Sequence, residues 1–271
     1  MLEFATKHDE NELKSIWETV FQDTDFFIKL HFSHNFLPVN TLVFRNKGKI
    51  VATLFMHPYE FRFWGEPVQC YYLSGLATLP RYRRQGIMHQ LINFAYKVMK
   101  ERNIPLAILI PAKPDMYAYY RKFGYEQVFD SNTETIPLAS IIDENKSLSE
   151  SYTVFDSIYR QKDFCIQKDF SDFKAIVADW EYDQRPPKTN VAGMAQLITP
   201  HFLFNIYRQK TGKKFKLNFL KDDDIILKDN VLSVSNRMLC RLLFGFHITE
   251  FAPEMLENFP EHQPILNLML E

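Results

Sequence analysis

Two hydrophobic rhythms alternate along the first 130 residues. Between 9 and 22, Leu13, Ile16, Trp17, Val20 and Phe21 recur at i, i+3, i+4, i+7 and i+8, the apolar stripe of an amphipathic helix. Asp9 and Glu12 suit a capping-box-like start. Strand-like runs follow at 41–45 (TLVFR) and 49–63 (KIVATLFMHPYEFRF), on either side of Asn46-Lys47-Gly48, a tight hairpin signal. Trp64-Gly65-Glu66-Pro67 marks a second turn, and 68–78 reads as another strand. Helical spacing returns at 87–102, where Ile87, Leu91, Phe94, Ala95, Val98 and Met99 share a face. Residues 106–110 are wholly apolar and predict a buried strand. Pro111 and Pro114 break the chain, 115–122 predicts a short helix, and Phe123-Gly124-Tyr125 leads into a strand around 126–129.

Beyond 130 the periodicity weakens. Residues 131–150 are polar and read as a connection. Phe170, Phe173, Ile176, Val177 and Trp180 predict a helix over 169–184, which Arg185-Pro186-Pro187 ends. Short strand-like runs at 215–220, 224–229 and 231–235 precede apolar helical stretches at 237–244 and 252–258. No internal repeat or low-complexity tract is present.

Composition narrows the classes. The chain has 271 residues, 46% hydrophobic and 24% charged, a globular balance with room for about two domains. A net charge of −1 argues against a nucleic-acid footprint. No apolar run approaches the ~18 residues of a membrane span. The opening residues lack a signal core, so a cytoplasmic location is expected. Cys70, Cys165 and Cys240, an odd set without CxxC spacing, read as reduced thiols rather than as disulfide or zinc ligands. Only 8 glycines occur, so a glycine in a functional loop stands out.

One such glycine is Gly86, where the basic run Arg81-Tyr82-Arg83-Arg84-Gln85 becomes the helix that starts near Ile87. A helix N-terminus presents unpaired N–H groups and a positive dipole end, which together suit a phosphate. Gly lets the backbone approach that ligand closely. The segment Arg83-Arg84-Gln85-Gly86-Ile87-Met88 resembles the acyl-CoA signature of the GNAT N-acetyltransferases, Gln/Arg-x-x-Gly-x-Gly/Ala, with Met88 departing from the small last residue. The approach LSGLATLPRYR and the order of elements through FGY are similar to that family over about residues 1–135. The resemblance implies an α+β GNAT fold with a central, mostly antiparallel sheet, and acetyl-CoA as co-substrate without a metal. Backbone groups of Leu76 and Thr78 are implied to receive the pantetheine. Arg83, Arg84, Gln85, Gly86, Ile87 and Met88 are implied to ring the pyrophosphate.

RYRRQGIM, the downstream YYRKFGY and a long C-terminal extension resemble the enhanced-intracellular-survival branch of GNAT enzymes, which carries a sterol-carrier-protein-like last domain. Three regions are then expected. These are a GNAT domain over 1–135, a shortened connector or remnant of a second GNAT-like domain over 136–190, and a smaller α+β sterol-carrier-protein-like domain over 191–271. The branch implies Tyr120 as the general acid toward the leaving thiolate, for which a phenol is suited. A packing role for Tyr117, Tyr119, Tyr120 and Tyr125 stays open. The branch also implies the carboxylate at Glu271 as the base, with Leu268, Met269 and Leu270 docking the tail. It implies homo-oligomers as well.

The function expected is acetyl-CoA-dependent N-acetyl transfer to a primary amine of a small molecule or to lysine, by direct attack. The alternative is a lipid- or acyl-CoA-binding protein with a vestigial GNAT site. His31 and His34 have i, i+3 spacing but no third metal ligand. Either one lining the amine pocket is an open alternative. Trp17, Phe26, Phe27, Phe32, Phe36 and Trp64 read as pocket or as core. Asp222-Asp223-Asp224 and Lys210 to Lys216 read as solvated turns.

Overall fold

The computed structural model describes residues 1–131, 135–142 and 145–270. The chain runs β1 (Leu2–Phe4), α1 (Glu10–Phe21), α2 (Asp25–Asn35), β2 (Thr41–Asn46), β3 (Lys49–Phe63) and β4 (Glu66–Thr78). It continues through α3 (Ile87–Glu101), β5 (Leu106–Leu109), α4 (Pro114–Arg121) and β6 (Glu126–Phe129). Next come β7 (Thr135–Ile136), α5 (Leu138–Ile141), α6 (Leu148–Tyr159), β8 (Cys165–Gln167), α7 (Phe170–Tyr182) and β9 (Lys188–Thr189). The last part holds β10 (Gly193–Leu197), α8 (Pro200–Thr211), β11 (Lys216–Phe219), β12 (Ile225–Lys228), β13 (Val231–Val234) and α9 (Asn236–Phe244).

The main sheet has the order β1-β2-β3-β4-β5-β10-β6, with β8 against the second half of β3. Its pairings are antiparallel except β4 with β5. This is the mixed α+β, mostly antiparallel architecture expected. Strand alternation sends side chains to two faces. On one, Leu54, Met56, Tyr71, Leu73, Ala107, Leu109 and Met194 are buried with Leu91, Ile92, Ala95 and Met99 of α3. On the other, Phe55 is buried with Leu13, Ile16 and Trp17 of α1 and with Phe27, Ile28 and Phe32 of α2.

The C-terminal part does not stand apart from this sheet. Residues 193–197 were read as the opening of a separate region, yet they form the strand between β5 and β6. The reason is local: Met194, Ala195 and Leu197 are apolar toward both faces, the pattern of a central strand. Phe61, Phe63 and Phe129 share a core with Leu203, Phe204, Leu239 and Phe244 of the last helices. The sheet therefore crosses the boundary expected at 190/191. The small sheet β11-β13-β12 pairs its outer strand β11 parallel to β13.

Helical spacing predicts none of α2, α5, α6 and α8. The buried face of α2 mixes His31 and Asn35 with Phe27, Ile28 and Phe32, which blurs its helical stripe; Thr24 caps it by accepting from the Phe27 N–H at 3.2 Å. α6 begins inside the stretch read as a connection, where Ser147 and Glu150 form a capping box. The helix expected over 252–258 is reduced to a short turn at Pro253–Met255.

Candidate functional site

Three features meet around the C-terminal half of β4. The first is a splay. β4 pairs with β5 only through Cys70, Tyr71 and Tyr72, so residues 73–78 have no strand on that side. Their backbone groups on that edge are left free for an extended ligand. Leu76 and Thr78 lie on this stretch, and Thr78 Oγ1 is buried without a partner among the described residues. The register with β3 shifts between Thr53 and Phe55, opposite Gly75 and Leu76. Gly75 has φ +55°, and a Cβ there would stand 2.6 Å from Phe55 and 2.7 Å from Trp17. Only glycine fits the bulge.

The second feature is the loop into α3. Arg83 Nε donates to the Thr78 carbonyl at 2.9 Å, and Gln85 Nε2 to the Arg81 carbonyl at 3.1 Å. These bonds tie the loop to the end of β4. Arg84 (φ 60°) and Gly86 (φ 74°) adopt the left-handed conformation that turns the chain into the helix. Gly86 is the N-cap and offers no side chain, so the first N–H groups of α3, from Ile87 and Met88 onward, face outward uncapped. A Cβ on Gly86 would meet nothing within 4 Å. Arg83, Arg84 and Gln85 are exposed there. The arrangement is a concave cluster of N–H donors with guanidinium groups at its rim, suited to an anion.

The third feature is Tyr120. Pro114 starts α4, and Tyr120 sits in its last turn, 6% exposed. It packs in the same core as Leu73 and Leu109, which belong to β4 and β5. Its ring is 5.3 Å from Tyr119 and 5.9 Å from Tyr125. Burial, helped by Tyr119, raises its pKa and holds it as a neutral phenol. Tyr120 is therefore packed in the core and keeps its proton.

The opposite face of β3 and β4 carries His31, one of the two histidines for which a pocket-lining role is open, and further groups that no sequence motif indicated. His57 Nε2 and Ser74 Oγ are 2.6 Å apart, both buried. The His31 ring lies 5.4 Å from His57. Burial, with His34 adding to it, lowers His31 to about 3, and burial lowers His57 strongly. Lys168 is 3% exposed, beside Tyr59. The signal that links these residues is period two along β3 and β4, read together with β8 and α2. It is visible only once the pairing is known.

The remaining candidates divide. His34 is 3.0 Å from Asp172 and buried against it. Among the described residues, no group of three or more His, Cys, Asp or Glu could hold a metal ion. Trp17, Phe27 and Phe32 are core, and Phe36 packs against it. Phe26 stacks on Tyr182 at 4.0 Å. Trp64 belongs elsewhere, donating to the Leu243 carbonyl in the C-terminal core. Asp223 accepts from Ser235 at 2.8 Å and pairs with Arg237, and Lys210 pairs with Glu66. The three cysteines are free and buried, and burial pushes Cys70 and Cys165 up to about 12. Glu271 lies outside the described residues. Leu268 and Leu270 are buried, and Leu270 shares the core of Trp17 and Phe55.

A sheet that splays after one parallel pairing, followed by a glycine-capped helix under a basic loop, is the GNAT fold. Residues 2–128 match the family model described as the acetyltransferase (GNAT) domain. The match covers the N-terminal part of the chain, and β10 completes the sheet of that part from outside the matched span. Solved structures with the same fold include a GCN5-related N-acetyltransferase from Anabaena variabilis. It is 21% identical, with a TM-score of 0.53, over 65% of this chain and 47% of that one. A probable N-acyltransferase from Enterococcus faecalis is 15% identical, with a TM-score of 0.54, over 73% and 51%. Eis1 from Mycobacterium abscessus is 13% identical, with a TM-score of 0.54, over 73% and 51%. The chain spans about half the length of these proteins. No curated protein matches it. Among the described residues no helix is long and apolar enough to cross a membrane.

Proposed function

We propose that this chain is an acetyl-CoA-dependent N-acetyltransferase that moves the acetyl group to a primary amine, of a small molecule or of lysine, by direct attack. The observation that carries the reading is the continuity of free donors. They run from the unpaired edge of β4 at Leu76 and Thr78, through the Arg83–Gln85 loop, to the uncapped start of α3 at Gly86, Ile87 and Met88. The open space at Gly86 and the partnerless Thr78 hydroxyl support a fit to the co-substrate, which supplies the activated thioester when bound. The β4 edge would orient the acyl chain and donate to the carbonyl oxygen as charge develops there. Tyr120, kept protonated by burial, would give its proton to the departing thiolate. The attacking amine must first lose a proton, and the carboxylate at Glu271 is the group we assign to that step. Burial of Leu270 in the core of Trp17 and Phe55 supports a tail held against the α1–α2 face of the sheet. The RYRRQGIM and YYRKFGY motifs support the enhanced-intracellular-survival-like branch.

The test is calorimetric titration with acetyl-CoA, followed by a thiol-release assay over polyamines, aminoglycosides, lysine and lysine peptides. Micromolar binding with release of CoA for at least one amine is expected. Binding without turnover of any amine would favour a lipid- or acyl-CoA-binding role instead.

A further inference from the structure

Lys168 is a buried charged group with no carboxylate at ion-pair distance among the described residues, and Asp172 and Asp169 act on it only from further off. It follows β8, whose pairing with β3 places it beside Tyr59. Its Nζ stands 4.1 Å from the centre of the Tyr59 ring and 3.0 Å from Met269 Sδ. Asp172, one turn further on, is taken by His34 at 3.0 Å and by the Asp169 N–H at 2.9 Å. A thioether and an aromatic face are weak partners for an ammonium shielded from water.

The same face holds two more unmet groups. The Asn35 amide N–H donates to His31 Nδ1 at 3.2 Å, so the neutral ring carries its proton on Nε2. Among the described residues that Nε2 is buried without a partner, and so is the Tyr72 hydroxyl. The strand register puts these groups in a row. Phe55 opposes Ser74 at the splay, His57 opposes Tyr72 one rung on, and Tyr59 opposes Cys70 at the next. His31 lies on His57, and Lys168 lies on Tyr59. The row begins beside the splay and ends, about 13 Å along β3, at an ammonium. Every unmet group in it can donate a hydrogen bond.

We propose that the amine substrate bears a carboxylate, that this carboxylate pairs with Lys168, and that the substrate is a diamino acid of the size of ornithine or lysine. The proposal rests on the acetyl-transfer reading and specifies its substrate class. The substrate's reacting amine lies toward Ser74 and the splay, and its carboxylate lies toward Tyr59. Met269 covers Lys168 with an unbranched, half-buried side chain, the kind that changes rotamer readily and swings aside. The row's free donors, His31 Nε2 and the Tyr72 hydroxyl, line the path between the two ends.

The experiment compares lysine with cadaverine, and ornithine with putrescine, which differ only by the carboxylate. It uses the full chain with acetyl-CoA, as wild type, Lys168→Met and Lys168→Arg. Wild type is expected to favour each amino acid over its diamine by about tenfold or more in kcat/KM, the scale of a buried charge-assisted contact. Lys168→Met should bring that ratio close to one, and Lys168→Arg should restore part of it. Equal turnover of acid and diamine by wild type overturns the proposal, and that comparison needs no variant to fold. A Lys168→Met protein that loses activity equally on both also overturns it, assigning Lys168 to a carboxylate of the chain itself. If no amine is acetylated, the acetyl-transfer reading fails on its own. Calorimetric binding of lysine against cadaverine then decides: selectivity lost in Lys168→Met supports the site, and equal binding overturns it.

Discussion

The two faces of the splayed sheet solve the problem of unmet polar groups in opposite ways. On the α3 side the free groups are backbone N–H donors at an exposed loop, where water satisfies them until a ligand arrives. On the α1–α2 side they are side chains: His31, Tyr72 and Lys168, buried and costly to leave unpaired. Two glycines show the same contrast. Gly86 opens onto empty space, whereas Gly75 is wedged against Phe55 and Trp17. In the proposed reading the first face takes a strongly charged co-substrate from solvent, and the second discriminates, since a buried donor left unpaired penalises the wrong partner.

The largest effect that tests this division is expected at Tyr120, which belongs to the first face but sits in its core. Tyr120→Phe removes one hydroxyl while keeping the ring that packs near Leu73 and Leu109. It should lower kcat by about a hundredfold, the low end for loss of a positioned acid. Acetyl-CoA affinity, measured by calorimetry, should be unchanged. Full turnover in the variant would show that Tyr120 only packs, and would leave the first face as a binding surface alone.

The contrast also explains what could be read from the chain before its fold was known. The first face is local in sequence: Thr78 to Met88 are contiguous, and Tyr120 stands three residues before Phe123 of the FGY turn. The helices α1 and α3 announce themselves by periodicity, because each buries one side, and β5 by an unbroken apolar run. The second face draws His31 from α2, His57 and Ser74 from paired strands, Lys168 from after β8, and Met269 from the tail. None of these has a neighbour in sequence that marks it. HFSH drew notice as a metal-like spacing, but the structure gives His34 to Asp172 and His31 to Asn35. The strand β10 was hidden for a related reason. It lies inside the region expected to begin at 191, more than sixty residues after β6, and hydrophobic pattern alone does not say which edge a strand joins.

Acid should separate the faces by a smaller amount. His31 titrates near 6.5 when unfolded and at about 3 in the fold, where burial excludes its charged form. Its folded pKa is depressed, so the unfolded chain binds the extra proton between those values. Stability is therefore retained above pH 6.5 and lost as pH falls below it. Between pH 7 and pH 5 the loss from His31 alone should be about 2 kcal/mol, read from urea unfolding. His57, lowered by burial as well, adds in the same direction. His31→Phe should flatten the curve by His31's share.

The smallest effect is the cleanest test of the first face. Gly86→Ala places a methyl group in open space, so no contact is broken. The cost is confined to the left-handed backbone, φ 74°, which disfavours a Cβ by about 1 kcal/mol. Unfolding should register that loss and little more, because the helix behind it still buries Ile87, Leu91 and Ala95. Acetyl-CoA binding should weaken further than this strain accounts for, since the methyl group projects where a phosphate must approach the N–H groups. If calorimetry finds the affinity unchanged while stability falls, the glycine serves only the turn. The anion cradle would then lie along the arginine side chains rather than at the helix start.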